Sequence, residues 1–149
     1  MILYLDASAL VKLVVAEAES DVVTRVWWEA SLRSSASLSW VEVHSAVARW
    51  RRRRELSQSQ ARRARLAWAT IWRGLSVIEP APVVLRVAAQ STHRYGLGAL
   101  DAVHLASFFA VLAKAEGGEA RFCGYDRKLL AAVERASRRI VRGGRRAAR

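Results

Sequence analysis

A chain of 149 residues, 52% of them hydrophobic, has enough apolar surface for one domain with its own core and too much for a disordered segment. Its 25 basic residues outnumber 13 acidic ones, and the net charge of +12 points to a polyanionic partner, of which nucleic acid is the usual one. The single cysteine, Cys123, excludes an internal disulfide and suits a reducing, cytoplasmic setting; the apolar opening lacks the basic lead of a signal peptide, and no run approaches the ~18 apolar residues of a membrane span.

Ile2-Leu3-Tyr4-Leu5 is a short apolar run without polar alternation, which reads as a strand covered on both faces, as in parallel α/β sheets. Asp6 ends it, at the edge where ligands bind in such sheets, although an Asp there also caps the next helix. Residues 7–15 read as a short apolar helix. Glu19 or Ser20 opens another, with Val22, Val23, Val26, Trp27 and Ala30 as its inner stripe and Trp28 off it. Leu32–Leu38 holds a loop and a short strand. Ser39 and Glu42 match the S-x-x-E capping box, ahead of a helix with Trp40, Val43, Val47 and Trp50 at helical spacing. The next helix, from about Ser57 to Gly74, turns Ala61, Ala64, Trp68, Ile71 and Trp72 to one side, so residues 40–74 form a helical hairpin. Arg49, Arg51, Arg52, Arg53 and Arg54, followed by Arg62, Arg63 and Arg65, offer cations to a phosphate backbone, or else a solvated helix face.

Leu75–Ile78 reads as a strand, broken by Glu79-Pro80, and Pro82 suits the first turn of a helix running to about His93. The glycines at 96 and 98 make no dinucleotide fingerprint: no strand precedes them and the third glycine is absent. From Ala102 to Ala113 only His104 and Ser107 are polar, which places this helix in the middle of the fold, with Asp101 in its first turn. His104 could share a face with Asp101 and reads as a satisfied core histidine; the H-E-x-x-H pattern of a zinc helix is absent. Gly117-Gly118 is a turn. Arg121–Tyr125 reads as a strand ended by Asp126, as Asp6 ends the first, and a helix over Arg127–Arg138 follows. Ile140-Val141 is expected as a last edge strand. One domain thus covers residues 1–141, and the basic tail 142–149, with nothing to bury, is expected to be disordered.

Two strands therefore end in acids, Asp6 and Asp126, and two helices carry one in the first turn, Glu42 and Asp101. In a doubly wound sheet, strand carboxyl ends and helix amino ends share one edge, so all four could meet. Uncompensated, they would repel and some would stay protonated. A divalent cation resolves this, and Mg²⁺ or Mn²⁺ prefers oxygen ligands. Such an ion beside a phosphodiester could drive hydrolysis, while the basic surface holds the polyanion.

At these residues the chain resembles the PIN-domain ribonucleases, specifically the VapC toxins of type II toxin–antitoxin pairs. Four pieces carry the resemblance in order along nearly the whole chain: LYLDASALVKL, SWVEVHSA, LGALDAVHLAS and FCGYDRKLLAA. It implies a three-layer α/β fold with a mostly parallel central sheet flanked by helices, and a Mg²⁺- or Mn²⁺-dependent endoribonuclease. It also implies a cognate antitoxin and, commonly, a homodimer. By position, Asp6, Glu42, Asp101 and Asp126 become the acidic metal site, with Ser8 of the D-x-S opening as a supporting hydroxyl. Asp6 and Asp101 would ligate directly; Glu42 and Asp126 would act through water or orient the attacking water. Arg51, Arg52, Arg53 and Arg54 become candidate RNA contacts. The family often carries an arginine two or three residues before the aspartate matching Asp101, where this chain has Gly98 and Ala99, and its fourth acid varies.

A receiver domain would want paired acids after the first strand, and an aspartyl phosphatase would want D-x-D where Ser8 stands. A PIN-like module that binds nucleic acid without cutting explains the arginines but not the acids. The tryptophans at 40, 50, 68 and 72 exceed the needs of one hairpin core, so some are candidates for a dimer or antitoxin contact, with core packing as the alternative.

Overall fold

The computed structural model describes residues 1–115 and 119–147, with 138–147 as backbone alone. Four parallel strands form one sheet: β1 (Ile2–Leu5), β2 (Leu32–Ala36), β3 (Ser76–Ile78) and β4 (Ala120–Cys123), in the order β3-β2-β1-β4. Among the described residues seven α-helices accompany them: α1 (Ala7–Leu10), α2 (Ser20–Glu29), α3 (Ser39–Arg52), α4 (Gln58–Arg73), α5 (Pro82–Tyr95), α6 (Ala99–Lys114) and α7 (Arg127–Ala147).

Strand alternation sorts the helices into two layers. Leu3 and Leu5 of β1 pack with Ala9, Leu10, Val23, Val43 and Trp68, from α1 to α4. Tyr4, pointing the other way, packs with Phe108 and Val111 of α6. A second cluster on that side joins Val84 and Ala88 of α5 to Leu105 of α6 and Leu129 of α7. β1 is thus covered on both faces, as its unbroken apolar run requires. The hairpin of α3 and α4 forms as expected. Its second helix starts with a capping box between Ser57 and Gln60 and stops at Gly74.

The structure corrects several local expectations. The first helix ends sooner: α1 passes into a 3₁₀ turn over Val11–Leu13 rather than reaching residue 15. Val22 is exposed at the edge of the α2 stripe. The Ser39–Glu42 capping box does not form, because Ser39 is already inside α3 and its buried hydroxyl bonds Ser35 Oγ at 2.7 Å. β4 stops at Cys123, so Asp126 does not end a strand; Gly124 and Tyr125 intervene. Ile140 and Val141 form no edge strand: the backbone of α7 runs through them to Ala147. The run around them is rich in Arg and Ala, strong helix formers, and two β-branched residues do not outweigh it. Residues 117 and 118, expected as a turn, and 148 and 149 lie outside the described residues.

The strand order sets where a site can lie. From β1 the chain winds outward through β2 to β3, and then returns to add β4 on the other side of β1. The topological switch point therefore falls between β1 and β4, and its crevice opens at their carboxyl ends. No single helix among the described residues is long and apolar enough to cross a membrane.

Candidate active site

Asp6 stands at that crevice. Its carboxylate is 3% exposed, and Oδ1 accepts from the Ala9 amide at 2.9 Å and from the Ser8 hydroxyl at 2.6 Å. Asp6 is therefore the cap of α1, as its position suggested, but α1 has only four residues. A cap on so short a helix does not account for burying a carboxylate. Ser8 also accepts the Tyr125 amide at 2.7 Å, which ties the end of β1 to the segment after β4. The close fit continues at Gly124, where a Cβ would lie 2.8 Å from Asp6 Cγ. Only glycine leaves room for the carboxylate there.

The other three acids reach the same edge by different routes. Glu42, in the first turn of α3, turns away from its own helix and meets His104 Nε2 with Oε2 at 2.9 Å. Asp101 sits in the first turn of α6, whose cap position is Gly98 and offers no side-chain bond. No hydrogen bond or ion pair holds the Asp101 carboxylate among the described residues. Asp126 is exposed and caps α7: Oδ1 accepts from the amides of Lys128 and Leu129, both at 2.8 Å.

Electrostatics couples the four. Burial pushes the Asp6 carboxyl above the ordinary range; its hydrogen bonds and His104 pull it back, and Glu42 pushes it up again. Asp101 is pushed up by burial first, then by Asp126, with Glu42 adding to it against His104 and Lys128. Carboxylates that hold one another up are what a cation would relieve. Nearby Cys123 is raised to about 11 by burial and then by Asp6, so its thiol is inert at neutral pH.

The donor set is oxygen, which suits Mg²⁺ or Mn²⁺ and not a zinc site of nitrogen and sulfur ligands. Among the described residues no three acids, histidines or cysteines close into a preformed metal cage. That openness still fits a cation that keeps several waters and takes one or two carboxylates directly. Asp6, Glu42 and Asp126 each use one named oxygen in a protein bond, and the second has no partner among the described residues.

Beside the acids runs a groove of about 600 Å³. Glu42 and Ser8 border it, Ala7, Val11, Val41 and Leu100 give it apolar walls, and Trp50 and Tyr125 supply aromatic surfaces. Lys12 lies 4.4 Å from the Tyr125 ring centre and pairs with Glu17 at 3.1 Å, whereas Arg49, also on the groove, makes no ion pair among the described residues. Arg51, Arg52, Arg53 and Arg54 are exposed at the end of α3 without an acidic partner among the described residues. Trp68 is buried, with Trp40 at 5.9 Å and Trp72 at 5.4 Å between ring centres; core packing accounts for Trp68, while Trp40 is exposed and Trp72 half-buried. Trp50 alone of the four lines the groove.

The sequence pattern missed Gly124, the groove and the link from Glu42 to His104. Gly124 had a signal, a glycine between an apolar strand and an acid; the other two join residues far apart in the chain.

A model of the PIN domain matches residues 3–120. Two relatives are Ribonuclease VapC45 of Mycobacterium tuberculosis strain CDC 1551 / Oshkosh and Ribonuclease VapC49 of strain ATCC 25618 / H37Rv. Each is 33% identical over 110 residues, which is 74% of this chain and 76% of theirs. Among solved structures, Mycobacterium tuberculosis VapC20, described as a sarcin–ricin-loop-cleaving toxin, superposes with a TM-score of 0.61 at 18% identity over 87% of this chain and 94% of that one. A toxin–antitoxin complex from Klebsiella pneumoniae gives 0.52 at 20% identity over 74% and 79%. At those identities the two structures speak for the fold.

Proposed function

The chain belongs to the PIN-domain family, and on that premise we propose that it is a metal-dependent endoribonuclease that hydrolyses RNA phosphodiesters as the toxin of a toxin–antitoxin pair. The observation that carries this is the electrostatic coupling of Asp6 with Glu42 and of Asp101 with Asp126 and Glu42, with Asp6 and Asp101 both raised first by burial. The ribonuclease relatives, matched over three quarters of their length, support the same activity.

Asp6 and Asp101 would hold a Mg²⁺ or Mn²⁺ ion, with Glu42 and Asp126 reaching it through water. Such an ion supplies Lewis acidity to the phosphoryl oxygen and to an attacking water. The chain's own residues do the positioning. Ser8 fixes the Asp6 carboxylate by its 2.6 Å hydrogen bond and holds the loop after β4 by accepting the Tyr125 amide. Glu42 and Asp126, each anchored through one oxygen, orient the water with the other. A water so oriented would add its oxygen to phosphorus as the bond to the leaving ribose oxygen breaks, its proton passing to the free oxygen of Glu42 or Asp126 and a solvent proton neutralising the leaving oxygen. Trp50 and Tyr125 offer stacking faces to unpaired bases beside the cut, and Arg49 and Arg51–Arg54 offer charge to the flanking phosphates. An antitoxin that covers this edge and a homodimer belong to the same proposal.

The test is cleavage of end-labelled RNA, single-stranded and duplex, by purified protein with Mg²⁺, with Mn²⁺ and with chelator. Metal-dependent cutting within single-stranded regions is expected. RNA binding without cutting under every condition would leave a PIN-fold module that only binds.

A further inference from the structure

We propose that His104 is a positioning residue, whose Nε2–H aims the Glu42 carboxylate at the acidic edge while Tyr4 fixes the orientation of the imidazole ring. This rests on the metal-dependent site above and adds a residue that holds one of its acids in place.

Glu42 has no local reason to point where it does. Leu38 and not Ser39 caps α3, and no capping box engages the Glu42 side chain. A glutamate so near a helix start has open solvent available and loses rotamer freedom when it is immobilised. Yet its side chain is only 23% exposed, and Oε2 lies 2.9 Å from His104 Nε2. The histidine is 2% exposed and sits in α6, on the opposite face of the sheet from the cluster that holds Val43 of α3. The bond therefore crosses the sheet edge and joins the two helical layers.

The direction of the proton follows from the partners. An ionised carboxylate can only accept, so Nε2 donates to Glu42. In the neutral ring Nδ1 is then the acceptor, and Tyr4 supplies the hydroxyl at 2.9 Å. In the charged ring Nδ1–H donates to the Tyr4 oxygen instead. Both states keep Nε2–H on Glu42, so the role does not depend on the charge of the ring. Tyr4 is well suited to hold it. The residue is fully buried, stacks on Phe122 with centroids 5.5 Å apart and packs against Phe108 at 5.8 Å. Its hydroxyl stays protonated, since burial raises it far above the ordinary tyrosine value. With Oε2 engaged, Glu42 presents Oε1, which no described residue holds. Hydrogen bonds behind a direct ligand are worth about 10–100-fold in metal affinity; Glu42 reaches the ion through water, so the lower end, about tenfold, applies.

The test compares His104→Gln, which keeps an N–H donor near the Nε2 position, with His104→Leu, which keeps bulk without one. Mn²⁺ affinity is read from the electron paramagnetic resonance of free ion, and folding from thermal melts in chelator. Folded His104→Leu is expected to bind Mn²⁺ about tenfold more weakly, with His104→Gln recovering most of the loss. Wild-type affinity in folded His104→Leu overturns the proposal. A second readout needs no variant: ¹⁵N NMR of the wild-type imidazole is expected to show the proton on Nε2, and an unprotonated Nε2 overturns the proposal whether or not metal binds. Wild-type protein that binds no Mn²⁺ at all removes the metal site itself, and this role with it.

Discussion

Gly124→Ala puts a methyl group where the Asp6 carboxylate already stands. The added Cβ would lie 2.8 Å from Asp6 Cγ and 2.7 Å from Phe122 Cε1, far inside the ~3.5–4.0 Å that carbon contacts prefer. Gly124 is not in the left-handed region, so the requirement is for space alone. Neither neighbour can yield freely. Phe122 is stacked on Tyr4 and set edge-on to Phe108 at 5.3 Å. Asp6 is held by Ser8 and the Ala9 amide. Overpacking costs about 1–3 kcal/mol and loosening a charged hydrogen bond about 1.5–3 kcal/mol, so the change should cost about 2–4 kcal/mol if the two partly overlap. At about 2–4 °C per kcal/mol for a chain of this size, Tm should fall by roughly 5–15 °C, as read by circular dichroism. Cleavage should fall further than stability: a displacement of about 1 Å at a reacting site costs on the order of 100-fold. Unchanged melting together with unchanged cleavage would refute the close fit of Gly124 against Asp6 and its part in holding the site.

Three other sites probe separate parts. Asp101 is raised in the folded chain, so its ionisation opposes folding: that contribution is absent below the unfolded aspartate range, near ~3.9, and grows as pH rises through the folded value. Asp101→Asn in chelator should therefore raise Tm at pH 8, and the gain should fade as pH falls toward 4; a gain that persists at low pH would assign the effect to packing. Asp126→Ala strips the acceptor from two amides of α7 and should cost about 1 kcal/mol in denaturant unfolding. Asp126→Asn keeps the cap, so it should slow cleavage with little change in stability; unaltered cleavage would remove Asp126 from the site. Replacing Arg51, Arg52, Arg53 and Arg54 with Gln should leave Tm in place and flatten the salt dependence of single-stranded RNA binding by about 0.7 for each phosphate no longer neutralised. An unchanged slope would make these arginines an ordinary solvated face.

Where one local pattern dominates, the sequence was a sufficient guide. β1 and the middle of α6 are largely apolar because both are buried, and the hairpin of α3 and α4 shows its inner face at helical spacing. Asp6 was legible as an acid at a strand end, and its two roles were both real possibilities because it does cap α1. Glu42 shows the limit. S-x-x-E is a local signal, and a buried histidine 62 positions away offers a better-sheltered partner than an amide at the helix start. Asp126 lies two residues further from the strand than its pattern suggests because β4 stops with its partner β1, whose last residue, Leu5, pairs with Cys123. The groove could not be read at all, since α1, α3, α6 and the segment after β4 form it together.

The most direct measurement is RNA cleavage by wild type and Asp6→Asn side by side, each with Mn²⁺ and with chelator, on samples shown by circular dichroism to be folded. Asn can still accept from Ala9 and Ser8, so the cap survives while the negative charge is lost. The expected result is cutting by wild type with Mn²⁺ alone and none by the folded variant. Equal cutting by both, abolished by chelator in both, would mean that the buried carboxylate at the end of β1 is a helix cap and not part of the metal site.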